Sequence, residues 1–295
     1  MYSRSDPGVR ADVTTQSLRE WPLPVADGSK YGRGHVVVVG GALRSPGAAM
    51  LAGIAALRVG AGRLTLAVGA SAAAHVATAV PECGVVPLDE TPGRSVSGFG
   101  LAAASADLSR ADAVLLGPGL DDAGEAEVMV RELPRYVGVD TVVVLDAFAL
   151  GSLPRVAGIA ERLGGRLVLT PNTVEAGLLL GRDVDDLARD LGEISDRFAA
   201  VVTCFGVVTA PDGWSWHVGA ASSGLGTSGS GDVLAGAVAG LAARGAPPEQ
   251  AAVWATHLHV ATGHALDAEV APTGYLASEL VRALPGVLAD VEGAR

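Results

Sequence analysis

Lysine is almost missing from this sequence: Lys30 is the single one in 295 residues, and every other basic side chain is arginine. No GK[ST] tripeptide occurs, so a lysine-dependent phosphate loop of that kind is excluded. Basic residues are also outnumbered, 21 against 32 acidic ones, for a net charge of −11. Without a basic run, the electrostatic footprint of a nucleic-acid binder is absent. Cysteine is scarce too. Cys83 and Cys204 lie far apart and outside any metal-binding spacing, which argues against a disulfide scaffold or a cysteine zinc site. Cys204 follows the β-branched run Val201-Val202-Thr203 and reads as a buried strand-end thiol. Residues 1–20 are polar and mixed in charge, unlike a secretory signal, and no apolar stretch free of glycine and charge is long enough to span a bilayer. The expectation is a soluble cytoplasmic protein with neither nucleic acid nor membrane as partner.

Glycine is abundant instead, with 40 residues, roughly twice the usual ~7% share. The glycines show no three-residue period, so they belong to turns, close helix contacts or ligand-hugging loops. Short, continuously apolar runs at His35–Val39, Arg63–Val68, Ala113–Leu116, Thr141–Leu145, Arg166–Thr170 and Ala200–Thr203 read as parallel strands covered on both faces. Helical stretches lie between them: 47–60, 123–133, 173–180, 183–198 and 232–243, followed by 248–266 and 273–284. A Pro211-Asp212-Gly213 turn suggests a hairpin at the sheet edge. This alternation predicts an α/β fold with one doubly wound, mostly parallel central sheet and helices on both faces. Residues 1–25 are expected as an N-terminal tail and 26–295 as a single domain.

Ligands of open α/β sheets bind where strands end and helices begin. Four loops qualify: Gly40–Gly47 after HVVVV, Gly117-Pro118-Gly119-Leu120 after AVLL, Thr170–Glu175 after RLVL, and Gly224–Asp232 opening the helix VLAGAVAGLAA. In the last, glycines 224, 226, 229 and 231 let successive backbone amides converge, and the helix start adds its positive dipole end, so the loop is a ready anion cradle. Asp232 has two readings on spacing alone. It is either a helix N-cap or a base acting on a hydroxyl held beside the cradle.

Taken together, these segments resemble the ADP/ATP-dependent NAD(P)H-hydrate dehydratases, a branch of the ribokinase-like superfamily. The resemblance is carried by Lys30–Val68, Pro81-Glu82, LLGPGL (115–120), LDAFAL (145–150), LTPNTVE (169–175) and GLGTSGSGDVLAG (224–236), in family order over roughly residues 28–265. It implies a ribokinase-like fold and a repair reaction. A nucleotide, usually ADP in bacterial members, phosphorylates the hydroxyl of hydrated NADH or NADPH with Mg²⁺, and loss of phosphate regenerates the reduced cofactor. Asp232 matches the family's catalytic aspartate and also touches substrate. Gly229, Ser230 and Gly231 match its anion hole, and Ala48 and Gly119 match positions lining the hydrate pocket. The resemblance further implies a homo-oligomer, to which the alanine-rich, lightly charged helices are suited. Because the chain has no room for the epimerase domain often fused to the family, it also implies a separate hydrate epimerase as functional partner.

Three departures stand out against the family pattern. Asn172 replaces a substrate-contacting histidine (TPNTVE for TPHPGE), Phe148 is bulky where small or acidic residues are common, and the lysine of a nucleotide-contacting KGxxT segment is gone. That segment is placed at Thr203, Cys204, Phe205, Gly206 and Val207. These changes bear on nucleotide affinity and donor choice and leave the Asp232 cradle intact. Glu175 reads as a helix-start carboxylate, with a water-mediated Mg²⁺ contact as the alternative. Asp146, ending a strand, is either a cap or a polar site residue. His257 and His259 point to different sides of a helix and cannot chelate together, so they and His264 are expected to be structural or at the surface. Two other functions fit the cradle: a ribokinase-like small-molecule kinase that stops at the phosphorylated alcohol, and a nucleotide-binding relative that has lost catalysis.

Overall fold

Val36 and Val38 enter one hydrophobic core, and Val37 and Val39 enter another; the same alternation holds for Val144 and Val168 against Val143 and Leu169. A strand sends successive side chains to opposite faces, so a run apolar at every position needs a cover on both sides. The computed structural model, which describes residues 10–25 and 28–293, supplies both covers. In chain order the first half contains β1 (Arg10–Asp12), α1 (Thr15–Arg19), β2 (His35–Gly40), α2 (Pro46–Arg58), β3 (Arg63–Gly69), α3 (Ala70–Ala79), β4 (Gly84–Leu88), α4 (Ser105–Leu108), β5 (Ala113–Leu116) and α5 (Ala123–Glu132). It continues with β6 (Val142–Leu145), α6 (Phe148–Ser152), α7 (Ile159–Leu163), β7 (Leu167–Leu169), α8 (Thr173–Leu180) and α9 (Leu187–Phe198). After these come β8 (Ala200–Cys204), β9 (Val207–Thr209), β10 (Ser215–His217), α10 (Ser230–Ala243), α11 (Pro248–Glu269) and α12 (Ala277–Glu292).

The described strands form one sheet in the order β1-β10-β9-β8-β7-β6-β5-β2-β3-β4. All pairings are parallel except β8 with β9 and β9 with β10. Helices α2, α10, α11 and α12 cover one face, and α5, α8 and α9 the other. Glycine decides how close α10 comes to α2. A Cβ on Gly236 would lie 2.1 Å from the Ala52 carbonyl oxygen, and one on Gly240 2.6 Å from that of Ala56. Only a bare backbone allows that approach, and it brings the start of α10 to the carboxyl edge of the sheet.

Two expectations change. Residues 10–23, expected in the tail, add a parallel edge strand beside β10 and seat Leu18 and Leu23 in the core. The hairpin carrying the Pro211–Gly213 turn is present, but β1 covers its outer strand, so the hairpin is not the sheet edge. No helix among the described residues is long and apolar enough to cross a membrane.

Candidate active site

The cradle begins with backbone geometry. Gly229, at φ 88°, is the residue before the first turn of α10, and no side chain caps that turn. A Cβ there would press to 2.7 Å from Leu51 Cδ1, so a close approach and a positive φ both call for glycine. The Ser230 amide donates to Thr227 O at 3.2 Å. The Gly231 and Asp232 amides stand in the first turn of α10, where no helix carbonyl precedes them to accept. The helix thus presents donors and its positive end to one spot. Asp232 is the third residue of α10, past the cap position, which removes the N-cap reading. Burial, and then the charge of Glu175, push its carboxyl up to about 6.

Two more carboxylates face the same edge. Asp146 follows β6, accepts from Thr170 Oγ1 at 2.7 Å and is buried; desolvation raises it to about 7, against the Thr170 hydrogen bond and with the charges of Asp232 and Glu175 adding. Ala147, beside it, is held at φ 50°, a strained value for a residue with a Cβ. Glu175 is raised by burial while its Oε2 accepts from the Asn172 amide at 2.9 Å. Asn172 Oδ1 in turn accepts from the Glu175 amide at 2.9 Å, closing a capping box on α8. The asparagine is therefore a helix cap, and only its amide NH₂ is left over for a ligand.

The first two loops are zipped together. Gly41 and Ala42 donate to Pro118 O and Gly119 O at 2.8 and 2.9 Å. At φ 74°, Gly119 brings the position of its missing Cβ within 3.2 Å of Ala48 Cβ and 2.3 Å of Ser45 O. Ala48 lies one turn before Leu51 on α2, and Leu51 touches Gly229. Ala48, Gly119 and the cradle therefore share one wall.

The segment placed at 203–207 differs from expectation. Thr203 and Cys204 are buried in β8, where Thr203 Oγ1 meets Thr256 Oγ1 at 2.7 Å, and Val207 is buried in β9. None of the three has a side chain available to a nucleotide. The exposed residue is Phe205, which forms a two-residue turn with the buried Gly206 at φ of 45° and 79°. Across that turn the run Phe205-Gly206-Val207-Val208-Thr209 has the glycine and threonine spacing of KGxxT, with phenylalanine in place of lysine. Cys204, its thiol pushed up to about 12 by burial and by Glu175, is inert. His259, expected to be structural or at the surface, is buried on α11 and contacts Ser230 of the cradle. The partner lies 29 residues away on another helix, so no local spacing signals it.

A doubly wound sheet with a glycine cradle and a desolvated carboxylate at its carboxyl edge defines the ribokinase-like class of α/β proteins. Within that class the chain belongs to the NAD(P)H-hydrate dehydratase family, whose model matches residues 36–286. It is 40% identical over 292 residues to the ADP-dependent (S)-NAD(P)H-hydrate dehydratase of Xanthomonas campestris, covering 96% of this chain and 97% of that one. A bifunctional NAD(P)H-hydrate repair enzyme Nnr from Moorella thermoacetica is 34% identical over 92% of this chain, which spans 52% of that longer protein. Among solved structures, the ADP/ATP-dependent NAD(P)H-hydrate dehydratase of Bacillus subtilis, co-crystallised with ATP and Mg²⁺, matches with a TM-score of 0.77 at 25% identity, over 96% of this chain and 99% of the other.

Proposed function

We propose that this protein is an ADP-dependent dehydratase that repairs hydrated NADH and NADPH. The observation that carries the reading is Asp232: a desolvated carboxylate with no capping task, one residue from the amides of a helix-start anion cradle. Asp232 takes the proton of the ring hydroxyl as its oxygen attacks the terminal phosphorus of ADP, and AMP leaves. The new C–O–P ester then breaks at carbon. Inorganic phosphate departs, the neighbouring ring carbon gives up a proton, and the ring double bond is restored. The Gly231 and Asp232 amides, with Gly229 and Ser230 shaping the loop, hold the charge of the transferring group. Ala48 and Gly119 form the floor of the hydrate pocket, small enough to admit a ring. The Asn172 amide NH₂ is the substrate contact left at its position.

Among the described residues no three metal-binding side chains gather. A Mg²⁺ brought by the nucleotide needs only one or two carboxylates and water. Glu175 and Asp146 would hold it through water, and it would neutralise charge on the phosphates. The turn Phe205–Gly206 meets the nucleotide. The setting is the cytoplasm and the assembly a homo-oligomer.

The test supplies hydrated NADH, ADP or ATP, and Mg²⁺, and follows absorbance of the reduced nicotinamide. Recovery supports the reading. A phosphorylated alcohol that accumulates points to a kinase, and no turnover by folded protein with either nucleotide overturns catalysis.

A further inference from the structure

The cradle is braced from behind by a residue that the reaction does not touch. His259, midway along α11, places Nε2 3.0 Å from the Ser230 carbonyl oxygen and 2.9 Å from Ser230 Oγ. A carbonyl oxygen can only accept, so Nε2 carries the hydrogen and donates it, shared between the two oxygens. Ser230 is the first residue of α10, so this one N–H fixes the turn from which the Gly231 and Asp232 amides and the Asp232 carboxylate project. Both partners are buried, with Ser230 3% and His259 9% exposed, so the contact is shielded from competing water. Burial also lowers the imidazole to about 4, leaving it neutral and a single-proton donor near pH 7.

We propose that His259 is a positioning residue for phosphoryl transfer, clamping Ser230 through Nε2 so that the amides of the first turn of α10 stay aimed at the phosphate. The proposal rests on the functional reading above for its reaction, and on the cradle alone for its binding consequence. A histidine that merely fills space between α10 and α11 could be exchanged for leucine, of similar bulk, with function kept. A clamp could not, whereas glutamine, with a donor at comparable reach, would restore part of it.

The experiment compares wild type, His259→Leu, His259→Gln and Ser230→Ala, each shown folded by thermal melting. Calorimetry first measures ADP and adenosine binding, which needs no dehydratase activity. His259→Leu is expected to weaken ADP about tenfold, the worth of a hydrogen bond to a charged group, with adenosine unchanged. In the hydrate assay kcat should fall about 100-fold, as when one donor to a developing oxyanion is lost, with KM for the hydrate unmoved. His259→Gln should recover at least a tenth of the wild-type rate. Should His259→Leu fail to fold, Gln and Ser230→Ala carry the comparison, with Ser230→Ala expected to fall between wild type and the full loss. Equal ADP affinity and kcat in His259→Leu and wild type overturn the proposal, as does a leucine variant weakened equally for ADP and adenosine. Wild type that binds ADP but does not repair hydrate overturns the functional reading alone, and the ADP–adenosine contrast still decides the clamp.

Discussion

Asp232 stands on the third residue of α10 with its carboxyl raised to about 6, chiefly by desolvation. A base accepts protons only when ionised, so kcat/KM should climb with pH through about 6 and level off above it; a profile flat from pH 5 to 8 would contradict this. Asp232→Asn should cost roughly 10³-fold in kcat, within the range for a lost general base, with folding unchanged. Asp146 gives a prediction of opposite character. Its carboxyl is raised to about 7 in the folded protein against an ordinary 3.8, so the folded state holds an extra proton between those values. That contribution to stability is complete below about pH 4 and is lost as pH rises through about 7. Asp146→Asn should therefore raise Tm relative to wild type by about 3 °C more at pH 8 than at pH 5, read by calorimetry. Phe205 stands 65% exposed at positive φ in the turn proposed to meet the nucleotide. Phe205→Lys should lower KM for ADP, about tenfold for one restored charge-assisted contact.

Elements explain why some of this was legible in the sequence and some was not. The central strands declare themselves because both faces are buried, leaving apolar runs such as 36–39 without a polar beat. β4 is half-exposed and contains Pro87, so it gives no such run. β1, read as Arg-Ala-Asp, carries no strand signal; its pairing with β10 is long-range. The spacing from Asn172 to Glu175 is a capping-box signal in plain view, yet it lies inside a segment that carries the family resemblance. The loops bearing Gly119 and Gly229 were readable because glycine at strand ends and helix starts has few other uses. The turn at Phe205–Gly206 was not readable, since its register depends on β9 folding back on β8. Packing of α10 on α2 is the element-scale claim open to test. Gly236→Ala sets a Cβ against the Ala52 backbone, which cannot rotate away, and should cost about 3 kcal/mol or more in a denaturant titration.

At the scale of the whole molecule, residues 10–23 tie the antiparallel end of the sheet to the last helices. Arg19 donates to the carbonyls of Val291 and Asp290 at 2.9 and 2.8 Å, while Trp254 and Gln250 donate to Trp21 O at 3.0 and 3.1 Å. Trp21 also stacks on Trp216 with ring centroids 6.2 Å apart. Removing residues 1–23 strips those donors of their acceptor and bares an indole, and should lower stability by at least about 2 kcal/mol. All four candidate loops meet at one edge because parallel strands deliver their ends there, and this convergence makes a single reaction the economical account. The direct measurement counts products in one vessel: hydrated NADH, ADP and Mg²⁺ with wild-type protein and with Asp232→Asn. The account predicts one AMP and one inorganic phosphate for each NADH recovered by wild type, and about a thousandth as much of each from the variant in the same time. NADH recovered without matching AMP, or equally by Asp232→Asn, would contradict it.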